Sequence, residues 1–422
     1  MLDHKTFFEH ISLVPNVKGK LWFFSGYTLL LMQRIFIRPR KDANKALIVS
    51  IGRYDNNAVS TSNLLKASLE KSVSLDYIYE HYYPNNKDKL KEFDRLLMNV
   101  QSTSSKLTLN NLGNKKNSFF NNTKKKIVLR YFRFLEQAFL LNTFFLGNNY
   151  EWIVLGNDTH YPARYVALLS RLFRVRSYTL QASGSNEVHK DSVPYYPLFT
   201  NSIINWSSYY SEKYKKEYCF GNSVSFLPWG VPKYDGIVTD SVSGNKIVVV
   251  SNTQFYVRDS KTLGDKIYKS FAEMVLSLLN DSKLKDRVVV KLHPRENLDD
   301  LYTKCDSWSE EFKQQFVFTD LTELFKGAAV VLSLGSTAVF EGLIHNVPCI
   351  IFGDKDSEVT STGPWNYGGP LEEQGLISIY DDVSLIKKAI EENEYPNGNL
   401  KSIISNLGNA SNLIISNIEQ GL

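Results

Sequence analysis

Residues 291–295 carry side chains that suit the binding of a phosphate group. Lys291 and Arg295 are cations, and His293 between them can donate a hydrogen bond. Pro294 ends the preceding Val-rich stretch, because its ring fixes φ and removes a backbone N–H group, and this directs His293 outward. A lone histidine is usually structural. The two neighbouring cations favour a place at a nucleotide phosphate or ribose, where His293 would help an anionic leaving group depart.

A second run, residues 333–342, is rich in small and hydroxyl-bearing residues. Gly335, Ser336 and Thr337 precede a predicted helix, where backbone N–H groups and the helix dipole hold phosphate. Ser336 and Thr337 are also ordinary helix caps. Glu341 lies one turn beyond Thr337 on the same helix face, so it either accepts the ribose hydroxyls or is a surface acid. Both runs follow predicted strands, and ligands bind beyond the carboxyl ends of such strands, so they predict one nucleotide pocket.

Catalytic carboxylates are expected in the N-terminal half, across from that pocket. Asp158 follows a predicted strand and lies beside His160, so it suits acid–base work, although a helix cap would have the same pattern. Asp235 lies in a turn between the halves and suits a nucleophile of a double displacement, or is simply a turn residue. The pair Asp354-x-Asp356 is interpreted as a turn, and no His/Cys cluster has zinc spacing, so we predict no metal and no cofactor.

Further polar residues follow predicted strands of the N-terminal half and are candidates for binding an acceptor. They are Arg53, Asp55, Gln181, Ser183 and Glu187. Turn chemistry explains the same residue types, so both interpretations stay open.

Alternating strands and helices must position these residues. In the first half we predict strands at 46–52, 74–80, 151–155 and 177–181 and helices at 57–71, 87–100, 124–141 and 161–173, with a loop at 101–123. In the second half we predict strands at 246–251, 286–292, 315–318, 330–334, 348–352 and 376–380, and helices at 261–280, 301–312, 383–392 and 400–418. This alternation predicts an α/β protein with two doubly wound, Rossmann-like domains facing a cleft.

Four segments follow from this pattern. Residues 1–44 form a basic, amphipathic helical segment, and residues 45–235 form an acceptor-side domain. Residues 236–399 form a nucleotide-binding domain, and a terminal helix within 400–422 is expected at the domain junction. The boundary is placed at a Pro- and Gly-rich stretch near residue 235.

Bulk properties restrict the partners. The 422 residues carry a net charge of +5, three cysteines without metal-ligand spacing, no signal peptide and no apolar run long enough to span a bilayer. These features predict a reducing, cytoplasmic location and an inert Cys349. Residues 1–45 and 101–135 are basic, which suits an anionic surface, and nucleic acid is the least favoured because no recognition module is present. Residues 20–40 resemble an interfacial helix, or a helix packed on its own domain.

The two phosphate-type runs also carry a resemblance. Lys291-x-His293-Pro294 followed by Ser333-x-Gly335-Ser336-Thr337 resembles the His-Pro and Ser-Ser/Thr motifs of GT-B-fold glycosyltransferases of bacterial surface polysaccharides. Those with cytidine-nucleotide donors include sialyltransferases, Kdo transferases and the CDP-glycerol polymerases of teichoic acid. The resemblance implies that His293, Ser336 and Thr337 hold the donor phosphate and that Glu341 lies near ribose.

Two further motifs resemble the teichoic-acid polymerases more loosely, namely Gln181-x-x-Gly184 and Gly230-x-Pro232-x-x-Asp235. Ser183 stands where that family has a histidine base, which favours a sugar transferase. The resemblance therefore implies metal-independent transfer of Kdo or sialic acid from a CMP donor to a surface polysaccharide or lipopolysaccharide acceptor. The acceptor would be lipid-linked, at the inner face of the cytoplasmic membrane. The alternatives are a CDP-polyol phosphotransferase and a UDP-sugar hexosyltransferase or epimerase.

Overall fold

The computed structural model describes most of the chain. The described residues are 9, 17–36, 45–52, 54–71, 73, 75–81, 106–108, 123–156, 161–181, 198–217, 224–237, 244–251, 261–292, 310–334, 336, 338–353, 369–396 and 398–422. The chain forms two compact units. The first comprises Met1–Ala182, Val193–Gly236 and Ile404–Leu422, and the second comprises Ser183–Ser192 and Ile237–Ile403. The sequence predicted the boundary after residue 235, and the units separate after Gly236.

The first unit is built on a parallel sheet of seven strands. They are β1 (Lys45–Gly52), β2 (Leu75–His81), β3 (Lys106–Thr108), β4 (Tyr150–Leu155), β5 (Arg176–Leu180), β6 (Ser202–Ile204) and β7 (Ser225–Leu227). Their order is β3-β2-β1-β4-β5-β6-β7, and every neighbouring pair is parallel. The order reverses direction between β1 and β4, which is the switch point of a doubly wound sheet.

Helices cover both faces of this sheet. They are α1 (Val17–Phe36), α2 (Tyr54–Glu70), α3 (Thr123–Gly147), α4 (Tyr161–Phe173), α5 (Ser208–Glu217) and, from the far end of the chain, α11 (Ala410–Glu419). On one face, α1, α3 and α4 bury an aromatic-rich core against β1 and β4. On the other face, α2 and α11 bury a second core against the same strands. Strands buried on both faces are typical of a parallel sheet.

The second unit repeats the plan with six parallel strands. They are β8 (Lys246–Val250), β9 (Val288–Lys291), β10 (Phe316–Val317), β11 (Ala328–Ser333), β12 (Cys349–Phe352) and β13 (Ile377–Tyr380). Their order is β10-β9-β8-β11-β12-β13, with the switch point between β8 and β11. The accompanying helices are α6 (Lys261–Leu279), α7 (Leu321–Phe325), α8 (Ala338–Ile344), α9 (Gly369–Glu373) and α10 (Val383–Glu392). Both units therefore confirm the predicted doubly wound α/β class.

The core of the second unit explains the expected inertness of Cys349. Its thiol is fully buried, and burial raises its pKa well above the usual range. The backbone of Gly342 in α8 lies so close that a Cβ atom there would meet the Cys349 Sγ at 2.9 Å. The helix and strand therefore pack without room for a reagent at this thiol.

Several elements differ from the sequence-based prediction. β3 lies inside the stretch predicted as a loop, and β6, α5 and β7 occupy a region where no element was predicted. These strands have three residues each, too few for a periodic pattern. The terminal helix begins at Ala410, because Asn406 and Gly408 adopt positive φ and stop a longer helix. The helix predicted at 87–100 lies outside the described residues, as do residues 301–309 of the helix predicted at 301–312. The end of that second helix falls in a 3-10 helix, Glu310–Gln315.

The segment just before the last helix packs closely against another backbone segment of the first unit. Gly230 has a φ of +99°, and a Cβ atom placed there would lie 2.4 Å from the carbonyl oxygen of Ser405. Gly236 also has a positive φ, of +76°, but no atom lies within 4 Å of a Cβ atom built on it. Position 230 thus requires glycine for space and for conformation, and position 236 for conformation alone.

These two glycines give a matched pair of variants. We expect Gly230→Ala to destabilise the first unit by about 2–4 kcal/mol, because it adds an overlap with backbone to the conformational cost. Gly236→Ala should cost only about 1 kcal/mol. Urea denaturation followed by tryptophan fluorescence measures both. Equal losses for the two variants would contradict the close approach of Ser405.

Candidate functional site

The switch point of the second unit lies between the carboxyl ends of β8 and β11. Ser333, the last residue of β11, is paired in register with Val250, the last residue of β8. At a switch point the two loops leave in opposite directions and open a crevice where ligands bind. The carboxyl end of β11 leads directly into the hydroxyl-rich run that the sequence predicts to hold phosphate.

A tight turn links β11 to α8 at this crevice. The fully buried Ser333 hydroxyl accepts a hydrogen bond of 2.9 Å from the backbone N–H of Ser336. The Ser336 hydroxyl in turn accepts one of 3.3 Å from the N–H of Ala338, and the Ser336 carbonyl accepts one of 3.0 Å from Val339. Ser336 therefore caps the first turn of α8, which is the helix-cap alternative that the sequence left open. Its side chain is half-buried.

A buried cation lies at the same edge of the sheet. Lys291 ends β9, and its ammonium group donates a 2.6 Å hydrogen bond to the carbonyl of Leu292. Ser251, just beyond β8, donates its backbone N–H to the Lys291 carbonyl at 2.9 Å, which extends the pairing of these strands by one residue. β8 separates β9 from β11, so the backbones of Lys291 and Ser333 are about 10 Å apart, two strand spacings. The phosphate and the sugar of a nucleotide, taken together, can span that distance.

Glu341 interacts along its own helix. It lies half-buried in α8, and its charge acts on His345 one turn later. Desolvation by burial lowers the pKa of His345; Glu341 opposes this shift and Lys326 adds to it. His345 packs against the ring of Phe325, at 5.6 Å between centroids. The role of Glu341 at ribose stays a prediction.

In the first unit, Gln181 lies at the centre of a buried polar network beyond β5. Its side-chain carbonyl accepts hydrogen bonds of 3.1 Å from Asn205 Nδ2 and from the backbone N–H of Trp206. The Trp206 indole N–H donates to the Gln181 backbone carbonyl, also at 3.1 Å, and Asn205 accepts from the Ser211 hydroxyl. These bonds fix the carboxyl ends of β5 and β6 to each other. The binding of an acceptor by Gln181 stays a prediction.

Asp235 caps the last helix of the chain. Its two carboxylate oxygens accept hydrogen bonds of 2.7 Å each from the backbone N–H groups of Ala410 and Ser411, the first two residues of α11. A carboxylate at a helix N-terminus is stabilised by the free N–H groups and by the helix dipole. A capping role is the structural alternative that the sequence left open, and a role for Asp235 as a nucleophile stays a prediction.

The remaining predicted residues lie outside the described part of the chain, or have side chains that do. These are Arg53, Asp158, His160, Ser183, Glu187, His293, Pro294, Arg295, Gly335 and Thr337, together with the side chain of Asp55 in α2. Asp158 and His160 follow Gly156, whose N–H donates to the carbonyl of Val49 at 2.8 Å. That bond joins β4 to β1 at the switch point of the first unit.

Sequence reasoning missed two residues that shape these sites, Ser251 and Asn205. Ser251 is the final residue of a predicted strand, and that position at a carboxyl end was the available signal. Asn205 gave no signal, because β6 was not predicted. Among the described residues, no three His, Cys, Asp or Glu side chains are grouped as a metal site would need. The expectation of no metal stays a prediction.

The fold is shared with solved structures of low sequence identity. A UDP-GlcNAc 2-epimerase from Neisseria meningitidis, bound to UDP-GlcNAc, is similar with a TM-score of 0.53 at 11% identity, covering 89% of this chain and 100% of that one. A second UDP-N-acetylglucosamine 2-epimerase gives 0.53 at 12%, covering 90% and 97%. A wall teichoic acid polymerase gives 0.46 at 12%, covering 100% and 98%. No protein-family model and no curated protein sequence matches the chain.

At this level of identity the two epimerases define the fold and leave the activity open. The chain has their architecture of two parallel-sheet α/β domains, and the predicted GT-B-like fold class is confirmed. The cleft between the domains stays a prediction.

The capping role of Asp235 can be measured. We expect Asp235→Ala to lower the stability of the first unit by about 1–2 kcal/mol, since two N–H groups of α11 lose their acceptor. Asp235→Asn, which keeps one acceptor oxygen, should lose less. Urea denaturation checks both, with exposed Asp381→Ala in the second unit as the control. Unchanged stability of Asp235→Ala would contradict the cap.

Proposed function

We propose that this protein is a glycosyltransferase of the GT-B type that takes a sugar from a cytidine nucleotide, CMP-activated Kdo or sialic acid. The acceptor would be a bacterial surface polysaccharide or lipopolysaccharide, carried on a lipid at the inner face of the cytoplasmic membrane. The observation that carries the proposal is the switch point of the second unit. There the Ser333–Ser336 turn and the buried cation Lys291 lie at one edge of a doubly wound sheet.

The donor phosphate would bind between β9 and β11. Ser336 can offer its hydroxyl at the start of α8, and Lys291 can offer a positive charge from two strands away. His293, Arg295 and Thr337 follow these positions closely in sequence. Three basic side chains near one phosphate would offset its charge as it leaves, which is the reason for proposing a reaction without a metal.

The acceptor would be activated by groups that follow β4. Asp158, with His160 beside it, would remove the proton from the attacking hydroxyl, since an acid at a strand's carboxyl end is well placed for such work. Arg53, Asp55, Ser183 and Glu187 would hold the acceptor. Gln181 would support them by fixing the ends of β5 and β6.

A second candidate is a UDP-sugar epimerase. The observation that favours it is the similarity of both UDP-N-acetylglucosamine 2-epimerases over 89% and 90% of this chain. An epimerase needs no acceptor, so it would convert UDP-N-acetylglucosamine alone. Two observations favour the transferase, namely the Lys-x-His-Pro and Ser-x-Gly-Ser-Thr runs and the basic N-terminal half.

Nucleotide binding tests the donor pocket. Calorimetry in EDTA should show micromolar affinity for CMP above CDP, UDP, GDP and TDP. Ser336→Ala should weaken CMP binding about tenfold, and Lys291→Met by about ten- to a hundredfold, because each removes a hydrogen bond or charge from the phosphate. His293→Ala should weaken it as well.

The sheet itself offers a matched control. Lys246 begins β8 at the opposite edge of the same sheet and is exposed, so Lys246→Met should bind CMP as the wild type does. Thermal melting confirms that each variant is folded. A preference for CDP would favour the CDP-polyol phosphotransferase, and a preference for UDP would favour the epimerase. Binding of none of these nucleotides would reject the proposal.

Product analysis separates the two enzymes. Incubation with UDP-N-acetylglucosamine and no acceptor should leave the sugar nucleotide unchanged, as judged by NMR. Incubation with CMP-Kdo or CMP-sialic acid and a lipid-linked glycan should release CMP, and Asp158→Asn should slow this by about 100-fold or more if Asp158 acts in proton transfer. Epimer formation in the first reaction would overturn the transferase.

A further inference from the structure

Helix α1 has one face buried deep in the first unit. Trp22 stacks on Phe134 of α3 at 5.4 Å between ring centroids, and Phe23 stacks on Tyr165 of α4 at 6.2 Å. Gly26 allows the close approach, because a Cβ atom there would lie 2.9 Å from the Tyr165 ring. This face is part of the core, so α1 is held in place as a helix packed on its own domain.

The opposite face of α1 is also apolar and is exposed. Leu21 is 56% exposed, Phe24 49% and Met32 57%, and they recur at helical spacing. A helix that is hydrophobic all round is normally covered on every side, by protein or by lipid. Scattered exposed apolar residues need no explanation, but three on one helix face form a continuous patch.

Helix α3 extends this patch. Phe139 is 49% exposed and lies with Leu135 beside α1, where the two helices form a groove of about 580 Å³. Its lining is almost wholly apolar and comprises Phe24, Ser25, Thr28, Leu29, Met32, Leu135 and Phe139. The hydroxyls of Ser25 and Thr28 donate to backbone carbonyls of α1 itself, at 2.9 and 3.0 Å, so they present little polar character.

The two helices are strongly basic. Together they contain eight Lys or Arg residues and a single acid, Glu136. Lys20 and Arg34 lie near the two ends of α1 and are exposed, so the patch is bordered by positive charge along the helix. Basic residues around an apolar face suit a surface that is negatively charged at the level of its headgroups and apolar beneath them. Within the described residues, no helix is long and apolar enough to cross such a bilayer.

We propose that the exposed faces of α1 and α3 form a docking surface for an anionic lipid bilayer. Phe24, Met32 and Phe139 would enter the acyl boundary, while Lys20 and Arg34 would contact lipid headgroups. The rigid attachment of α1 to the core means that the surface is present before the membrane is met, and no segment has to fold on binding. This inference does not depend on the nucleotide site.

Vesicle binding tests the surface. Wild-type protein should sediment with vesicles that contain phosphatidylglycerol and much less with phosphatidylcholine alone. Phe24→Gln/Met32→Gln should reduce the partition coefficient at least about tenfold, because two apolar side chains no longer leave water. Lys20→Gln/Arg34→Gln should reduce it about tenfold as well, and about 1 M salt should have a similar effect on the wild type by shortening the Debye length to about 3 Å.

The control is Phe318→Gln, at a phenylalanine of the second unit that is slightly more exposed (58%) than Phe24, and this variant should bind vesicles as the wild type does. Melting temperatures and CMP affinity of the variants should be unchanged, which separates this test from that of the nucleotide site. Three results would overturn the proposal. They are no sedimentation of the wild type with anionic vesicles, equal binding to both kinds of vesicle, and a wild-type dimer in light scattering that Phe24→Gln/Met32→Gln converts to a monomer.

Discussion

The first unit depends on a helix supplied by the last residues of the chain. A parallel sheet must be covered on both faces, and α2 covers only part of the second face. α11 completes it, with Ala410, Ile414, Ile415 and Ile418 buried among strand residues. The segment before the second unit receives this helix, through the Gly230 backbone and the Asp235 carboxylate. The motif Gly230-x-Pro232-x-x-Asp235 thus joins two segments of the first unit that a whole domain separates in sequence.

A second constraint, the pairing of backbone groups at the strand ends, concerns the polar residues at the carboxyl edges of the sheets. At the carboxyl edge, backbone groups run out of strand partners and must be satisfied by side chains or by single extra bonds. Gln181 meets this need in the first unit, and Ser251 and Ser333 meet it in the second. The groups that make these bonds are therefore held in one orientation at the carboxyl edge.

The sequence predicts the parts of this structure that rest on local pattern. The Val- and Ile-rich runs of β4, β8 and β11 are long enough to indicate buried strands, and α4 and α10 were predicted to the residue. Three-residue strands such as β6 carry no such pattern. The same limit applies to the sites. Ser336 could be found because its signal is local, a hydroxyl after a strand.

The features that the sequence could not predict depend on contacts with residues far away in the chain. The sequence around Asp235 fits a nucleophile and a turn residue equally well. The residues that donate hydrogen bonds to its carboxylate lie 175 and 176 positions away. Likewise, the apolar residues of α1 do not reveal which face is covered, since that depends on Phe134 and Tyr165 of other helices. The sequence allowed either an interfacial helix or a helix packed on its own domain. In the structure, one face of α1 is buried in the core and the opposite face is apolar and exposed.

The direction of α3 relates the basic surface to the carboxyl edge of the first sheet. α3 enters β4 after only two intervening residues, so it runs antiparallel to that strand and its N-terminal end points toward the carboxyl edge. That end begins Thr-Lys-Lys-Lys, and the helix is about 37 Å long, against about 20 Å for β4. The most basic turn of α3 therefore reaches the edge from which Asp158 and His160 follow β4. Under the functions proposed above, an anionic acceptor would meet positive charge on its way to the acceptor site, so one surface could serve both the proposed membrane attachment and the approach of the substrate.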